Sequence, residues 1–158
     1  NIILLDNYIS NLDHYQIYGS GSFIQLDKKN KFTEYNFNEI NKIPAIKYYD
    51  KPNIPNKLHF KNINSGELLI IADEGYLLGT KENINSGIFK LKGMHGYNPE
   101  LLNMHGIFYA IGPDIKKNVE IDSFENIQIY PLICKLLNID EYKKSQFFDY
   151  LVINKILK

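Results

Sequence analysis

Two short apolar runs constrain this chain more than any other feature. Gly66-Glu67-Leu68-Leu69-Ile70-Ile71-Ala72 stops at Asp73-Glu74-Gly75, and Ile107-Phe108-Tyr109-Ala110-Ile111 stops at Gly112-Pro113-Asp114. Both runs are short and end in turn formers, so both are predicted to be strands. The second is continuously apolar, which predicts a strand covered on both faces. A chain with such strands must build a sheet and bury it.

The remaining pattern supplies partners for them. Ile2 to Leu5 reads as a short buried strand. Tyr15 to Tyr18 and Phe23 to Leu26 flank Gly19-Ser20-Gly21 and predict a hairpin. Thr33 to Ile40 predicts a short helix capped by Thr33, with Tyr35, Ile40 and Ile43 on one face, and Pro44 ends it. Ala45 to Tyr49 alternates as a strand does. Pro52 and Pro55 then impose an extended, turn-rich passage. Residues 79–94 read as loop, punctuated by Gly79, Gly87 and Gly93. Phe124 to Leu137 has helical spacing, and Pro131 either kinks that helix or marks its first turn. Phe147 to Leu157 predicts a last helix. Paired strands over residues 10–80 thus describe a small α+β unit, followed by a strand and helix typical of a larger α/β sheet.

Composition removes several function classes. The 18 basic and 18 acidic residues cancel, so no basic surplus drives binding to nucleic acid or anionic lipid. Arginine is absent, which leaves no guanidinium fork for phosphate; lysine, backbone amides or metal would have to hold it. The single cysteine, Cys134, excludes an internal disulfide and a cysteine-based zinc site. It falls on the apolar side of the predicted helix and is expected to be buried and inert. No apolar run reaches the length of a membrane span. The chain starts abruptly on Asn1 with a strand close behind, so a truncated or processed chain is expected.

Few residues here can carry chemistry. His95 sits in Gly93-Met94-His95-Gly96-Tyr97-Asn98, between small residues and ahead of an apolar run. A histidine so placed can be a metal ligand or a loop histidine bonded to backbone, and no second histidine stands at ligand spacing. His105 is expected to be structural, His59 to pack, and His14 to be solvated. The acids are scattered over turns and helix starts, with no pair on a shared face for acid–base work. Gly19-Ser20-Gly21-Ser22 is neither a nucleophile elbow nor a phosphate loop.

Taken in order along the chain, several of these segments resemble one family. Gly93 to Asn98 is similar to the Gly-x-His-Gly-Tyr-Asp-Asn segment of the ectonucleotide pyrophosphatase/phosphodiesterases, members of the alkaline phosphatase superfamily. Met104 and Ile107 to Pro113 match the Met-x-x-Ile-Phe-x-x-x-Gly-Pro that follows there. Phe124 to Leu137 looks like the family's signature helix, Cys134 included. Leu58-His59-Phe60 and Leu69 to Tyr76 are similar to the upstream "Leu-His-Tyr … Ala-Asp-Gly-Tyr" passage, and Ile3 to Tyr8 resembles "Tyr-Leu-Asp-Asp-Tyr".

The resemblance implies the C-terminal portion of an alkaline-phosphatase-like α/β fold. Residues 1–9 would be a strand of the main core, 10–85 a small α+β insertion or cap, and 86–158 the return to the core. It implies a hydrolase of phosphodiester or pyrophosphate bonds, acting on a phosphodiester or nucleotide substrate through a phosphothreonine intermediate with two zinc ions. One zinc is held by an aspartate and two histidines, and His95 aligns with the second histidine. Tyr97 either flanks the substrate entrance or packs. No catalytic residue lies in this segment: the threonine, the zinc-binding aspartates and Asp-His-Gly-Met belong upstream, in a missing N-terminal half of the same chain. The isolated segment is therefore expected to be inactive and to bind zinc weakly. The compartment is not fixed by the residues; the resemblance suggests extracellular, periplasmic or secretory-lumen placement.

The segment also departs from the family. Asn98-Pro99 replaces Asp-Asn, removing a carboxylate next to the metal ligand. Asn62-Ile63-Asn64-Ser65-Gly66-Glu67 lacks the family's arginine. Two alternatives follow: a non-catalytic binding or scaffold domain on the same fold, and another branch of the superfamily, such as a phosphomonoesterase or a sulfatase.

Overall fold

In a computed structural model, residues 1–86, 88–90, 92–140 and 148–158 are described. They form β1 (Ile2–Leu4), β2 (Tyr15–Tyr18), β3 (Phe23–Lys28), α1 (Phe37–Ile40), β4 (Ile46–Asp50), β5 (Leu68–Ala72), β6 (Leu77–Gly79), α2 (Ile129–Leu136) and α3 (Tyr150–Ile156), joined by short 3-10 turns. The chain divides into two units, Asn1–Met104 and His105–Lys158.

In the first unit, β5 is the centre of a four-stranded antiparallel sheet ordered β2-β3-β5-β4. It pairs with β3 from Phe23↔Ile71 to Leu26↔Leu68, and with β4 from Ile46↔Ala72 to Asp50↔Leu68. Leu68, Leu69, Ile70 and Ala72 are all buried, as the apolar run requires. Each large side chain among them contributes roughly 1.5–3 kcal/mol of burial. Side chains on β3 start the strand: Gln25 Oε1 accepts from the Gly66 amide at 2.6 Å, and Asp27 Oδ1 from the Glu67 amide at 2.7 Å. The β2–β3 hairpin forms where Gly19-Ser20-Gly21 predicts it, with Gly19 at φ 83° and Gly21 at φ 103°.

The second sheet pairs β1 with β6 in parallel, Ile2↔Leu77 to Leu4↔Gly79. β6 lies in a stretch whose residues from 79 on read as loop, and the pattern did not mark Leu77–Gly79 as a strand. It exists because β1 supplies a distant parallel partner. The hairpin tip reaches it too: Gly21 N–H donates to Leu78 O at 2.8 Å, and Leu78 N–H to Gly21 O at 2.6 Å.

The expected helix from Thr33 shrinks to one turn. α1 begins at Phe37 and is capped by Asn36, whose Oδ1 accepts from the Glu39 amide at 3.4 Å. Thr33 is held instead in a turn, its amide donating to Asn30 Oδ1 at 3.1 Å. Tyr35 is held outside the helix: its ring stacks on Tyr15 at 5.2 Å and its hydroxyl donates to Leu26 O at 2.9 Å. Ile40 and Ile43 do share the buried face. Glu39 accepts from the Ser10 hydroxyl at 2.6 Å and the Ser10 amide at 3.0 Å, and these bonds hold its carboxyl below the usual carboxylate range.

In the second unit, α2 and α3 enclose a small core of Ile115, Leu132, Ile153, Ile156 and Leu157. Pro131 is the third residue of α2, so it sits in the first turn, where its missing donor costs nothing. Cys134 is buried. Residues 107–111 differ from expectation. No strand pairs with them among the described residues, and Ile107, Tyr109 and Ile111 are 100%, 82% and 82% exposed. Phe108 is exposed as well, although its ring stands edge-on to Phe124 at 5.0 Å, and only Ala110 packs partly against the second unit's core. The run is thus largely exposed, with no ladder partner for its backbone among the described residues. Gly87 and Phe147, the first residue of the expected last helix, lie outside the described residues. Among those described, no helix is long and apolar enough to cross a membrane.

Two outcomes test this packing. A Cβ on Gly79 would overlap Cζ of the Phe89 ring. Gly79→Ala should therefore destabilise the chain by about 1–3 kcal/mol in a denaturant titration, and Phe89→Leu in that background should recover most of the loss. Glu39→Gln should lower stability at neutral pH. Because the folded carboxyl titrates below its unfolded value, the difference is fully present above the ordinary carboxylate range. It should close as pH falls through the folded pKa.

Candidate functional site

His95 stands on a loop whose neighbours are fixed to the first unit's core. Met94 packs partly against that core. Gly96 has φ +86°, and a Cβ there would sit 2.7 Å from Ser22 Oγ and 3.7 Å from two ring carbons of Phe23. Glycine is therefore required twice, by the left-handed backbone and by the close approach to the hairpin tip. Tyr97 is buried among the core residues, and its hydroxyl donates to Tyr76 O at 2.9 Å. Burial, assisted by the Glu74 charge, pushes the Tyr97 phenol up. The loop then turns at Asn98, whose Oδ1 accepts from the Glu100 amide at 3.2 Å and whose carbonyl accepts from Leu101 N–H at 3.1 Å.

Between these anchors the His95 side chain is exposed, and it makes no hydrogen bond, ion pair or ring contact with the described residues. Loop histidines bonded to backbone would look different. The donor chemistry suits one position of a nitrogen-and-oxygen zinc site. One imidazole cannot complete such a site, and the described residues contain no group of three or more His, Cys, Asp or Glu able to hold a metal.

The other histidines are dispersed. His14 is exposed. His59 is exposed at the end of a 3-10 turn with φ 47°. His105 is exposed, with Nδ1 3.2 Å from Ser123 Oγ. Asp6, in the strand-and-turn segment that resembles "Tyr-Leu-Asp-Asp-Tyr", accepts from the Lys81 amide at 2.8 Å. A cleft of about 370 Å³ opens beside β4 and β5, and Asn98, Glu100 and Leu101 form part of its wall. Lys57 Nζ lies 2.8 Å from Glu100 Oε1 there, and this bond holds the Glu100 carboxyl below the usual range. His95 does not line that cleft. In the sequence Ser22 belongs to a segment that is neither a nucleophile elbow nor a phosphate loop; its closeness to Gly96 is the feature that local pattern does not reveal. The run of small residues Gly19-Ser20-Gly21-Ser22 was its only trace.

The profile of the type I phosphodiesterase / nucleotide pyrophosphatase family matches residues 1–98. The human ectonucleotide pyrophosphatase/phosphodiesterase family member 5 is 33% identical over 140 residues, covering 87% of this chain and 28% of that protein. A bis(5'-adenosyl)-triphosphatase of Xenopus laevis is 35% identical over 97 residues, covering 61% of this chain and 20% of that protein. The solved structure of murine ectonucleotide pyrophosphatase/phosphodiesterase 5 superposes with a TM-score of 0.84 at 26% identity, over 99% of this chain and 41% of that one. An inactive form of the murine protein in complex with AMP gives 0.74 at 28% identity, over 87% of this chain and 36% of that one. The chain thus spans well under half the length of these relatives and shares their mixed α/β, alkaline-phosphatase-like fold. It belongs to the type I phosphodiesterase / nucleotide pyrophosphatase family.

Proposed function

We propose that this chain forms part of a zinc-dependent hydrolase of phosphodiester or pyrophosphate bonds, with His95 as one ligand of a two-zinc centre. The observation that carries the reading is the exposed, unbonded imidazole of His95 on an anchored loop, in a chain of this family. The nucleophilic threonine, which would carry the phosphoryl group transiently, and the other ligands would come from polypeptide that the relatives carry beyond the matched region. A zinc pair supplies charge stabilisation at the entering and leaving oxygens and lowers the pKa of the attacking water.

The chain's own residues have narrower tasks. His95 must stay neutral and present one ring nitrogen, since a protonated imidazole cannot ligate. Gly96 lets the loop lie close against the hairpin tip, and Tyr97 ties it to the core through Tyr76 O. Tyr97 spends its hydroxyl on Tyr76 O, so its support for a substrate entrance is its ring. Asn98 offers an amide where the family has a carboxylate. That weakens any carboxylate contact behind the imidazole and favours a site of lower metal affinity. A nucleotide substrate is supported by the AMP bound to the murine relative, and the ecto- prefix of the relatives' names supports a compartment outside the cytosol.

His95→Ala in the full-length protein tests the reading. Hydrolysis of a nitrophenyl phosphodiester should fall by at least about a hundredfold, beyond what loss of a residue behind a ligand produces. A wild-type rate would remove His95 from the centre. An intact metal centre with no hydrolysis in the wild-type protein would leave the binding-domain alternative standing.

A further inference from the structure

We infer that the tip of the β2–β3 hairpin, with Ser22 as a positioning residue, sets the place of the His95 imidazole. This rests on the reading of His95 as a metal ligand. Three observations made at different residues carry it.

The first is that the hairpin tip is a fixed wall. Gly21 exchanges both backbone hydrogen bonds with Leu78, and Ser22 O accepts from the Ala72 amide at 2.8 Å. The tip therefore joins β6 to the end of β5, the most buried strand of the unit. Ser22 itself is 4% exposed. A segment tied to two sheets has little freedom to move away from what rests on it.

The second is that the His95 loop rests on that wall through a residue with no side chain. The Gly96 α-carbon lies so close that a methyl there would be 2.7 Å from Ser22 Oγ. Real side-chain carbons do not approach an oxygen so closely, so the contact fixes how near the loop comes to the hairpin. The third is that the next residue is pinned to the same block. Tyr97 is 8% exposed, and its hydroxyl reaches Tyr76 O, immediately before β6. Met94 packs on the other side of His95.

The result is one exposed donor between anchored neighbours. Its backbone direction is set before any metal arrives, so less ordering accompanies binding. The insertion-like α+β unit thereby acts on the metal centre without contributing a ligand from its hairpin.

The test uses the full-length protein, with zinc affinity measured by chelator competition and the visible spectrum of the cobalt(II)-substituted form as a reading of geometry. His95→Ala is the reference and should lose one metal per chain. Gly96→Ala should weaken binding at that site by roughly 10- to 100-fold and change the cobalt spectrum. Adding Ser22→Gly makes room for the new methyl and should restore most of both. Tyr97→Phe, a milder change should Gly96→Ala not fold, should weaken the site about tenfold. If His95→Ala keeps both metals at wild-type affinity, the ligand reading fails and the inference with it. If His95→Ala loses a metal but Gly96→Ala and Tyr97→Phe bind as the wild type does, the ligand stands and the positioning role is overturned. Failure of Ser22→Gly to restore a weakened, folded Gly96→Ala protein overturns the role of Ser22.

Discussion

The pairing of β5 with β3 on one side and β4 on the other holds the first unit together. Leu68 to Ala72 has neighbours on both edges, as β3 does, but unlike β3 it is apolar throughout. Its pairing with β3, from Phe23↔Ile71, fixes where β3 begins, hence where the hairpin tip stands. The tip in turn bonds to β6 and to the end of β5 itself. The loop that carries His95 leans on that tip and is pinned through Tyr97 to the residue before β6. The backbone on the C-terminal side of an exposed imidazole is thus tied to the buried sheet at Gly96 and Tyr97.

Much of this was legible because it is local. The hairpin follows from Gly19-Ser20-Gly21 between alternating residues. β4 and β5 follow from alternation and from an apolar run, each ended by a turn signal. His95 is conspicuous because glycines flank it. What escaped is nonlocal or competitive. β6 has three residues and a parallel partner at the start of the chain, and no window along the sequence contains both. α1 lost its first turn because Asn36 is a good cap and because Tyr15 and Leu26 claim Tyr35 for tertiary contacts. The 107–111 run looked buried on both faces because Tyr109 counts as apolar in a pattern. Of the run, only Ala110 packs partly against the core, and the other four residues are exposed.

The site shows the same division. Residue types mark His95 as a possible donor, while contacts across the fold hold the residues that follow it. Ser22 has no chemical signature of its own in this setting; only the missing Cβ of Gly96 exposes its part. The two units also divide the work. The first carries the family match and the His95 loop; the second carries a small helical core and a largely exposed apolar run.

The claim at the centre of this account is that position 95 is a metal ligand. The most direct measurement is a zinc anomalous-scattering map from crystals of the full-length protein. The account predicts a zinc peak about 2 Å from a ring nitrogen of His95, the distance of a zinc–histidine bond. A map in which every zinc peak lies well beyond bonding distance of that ring would contradict it.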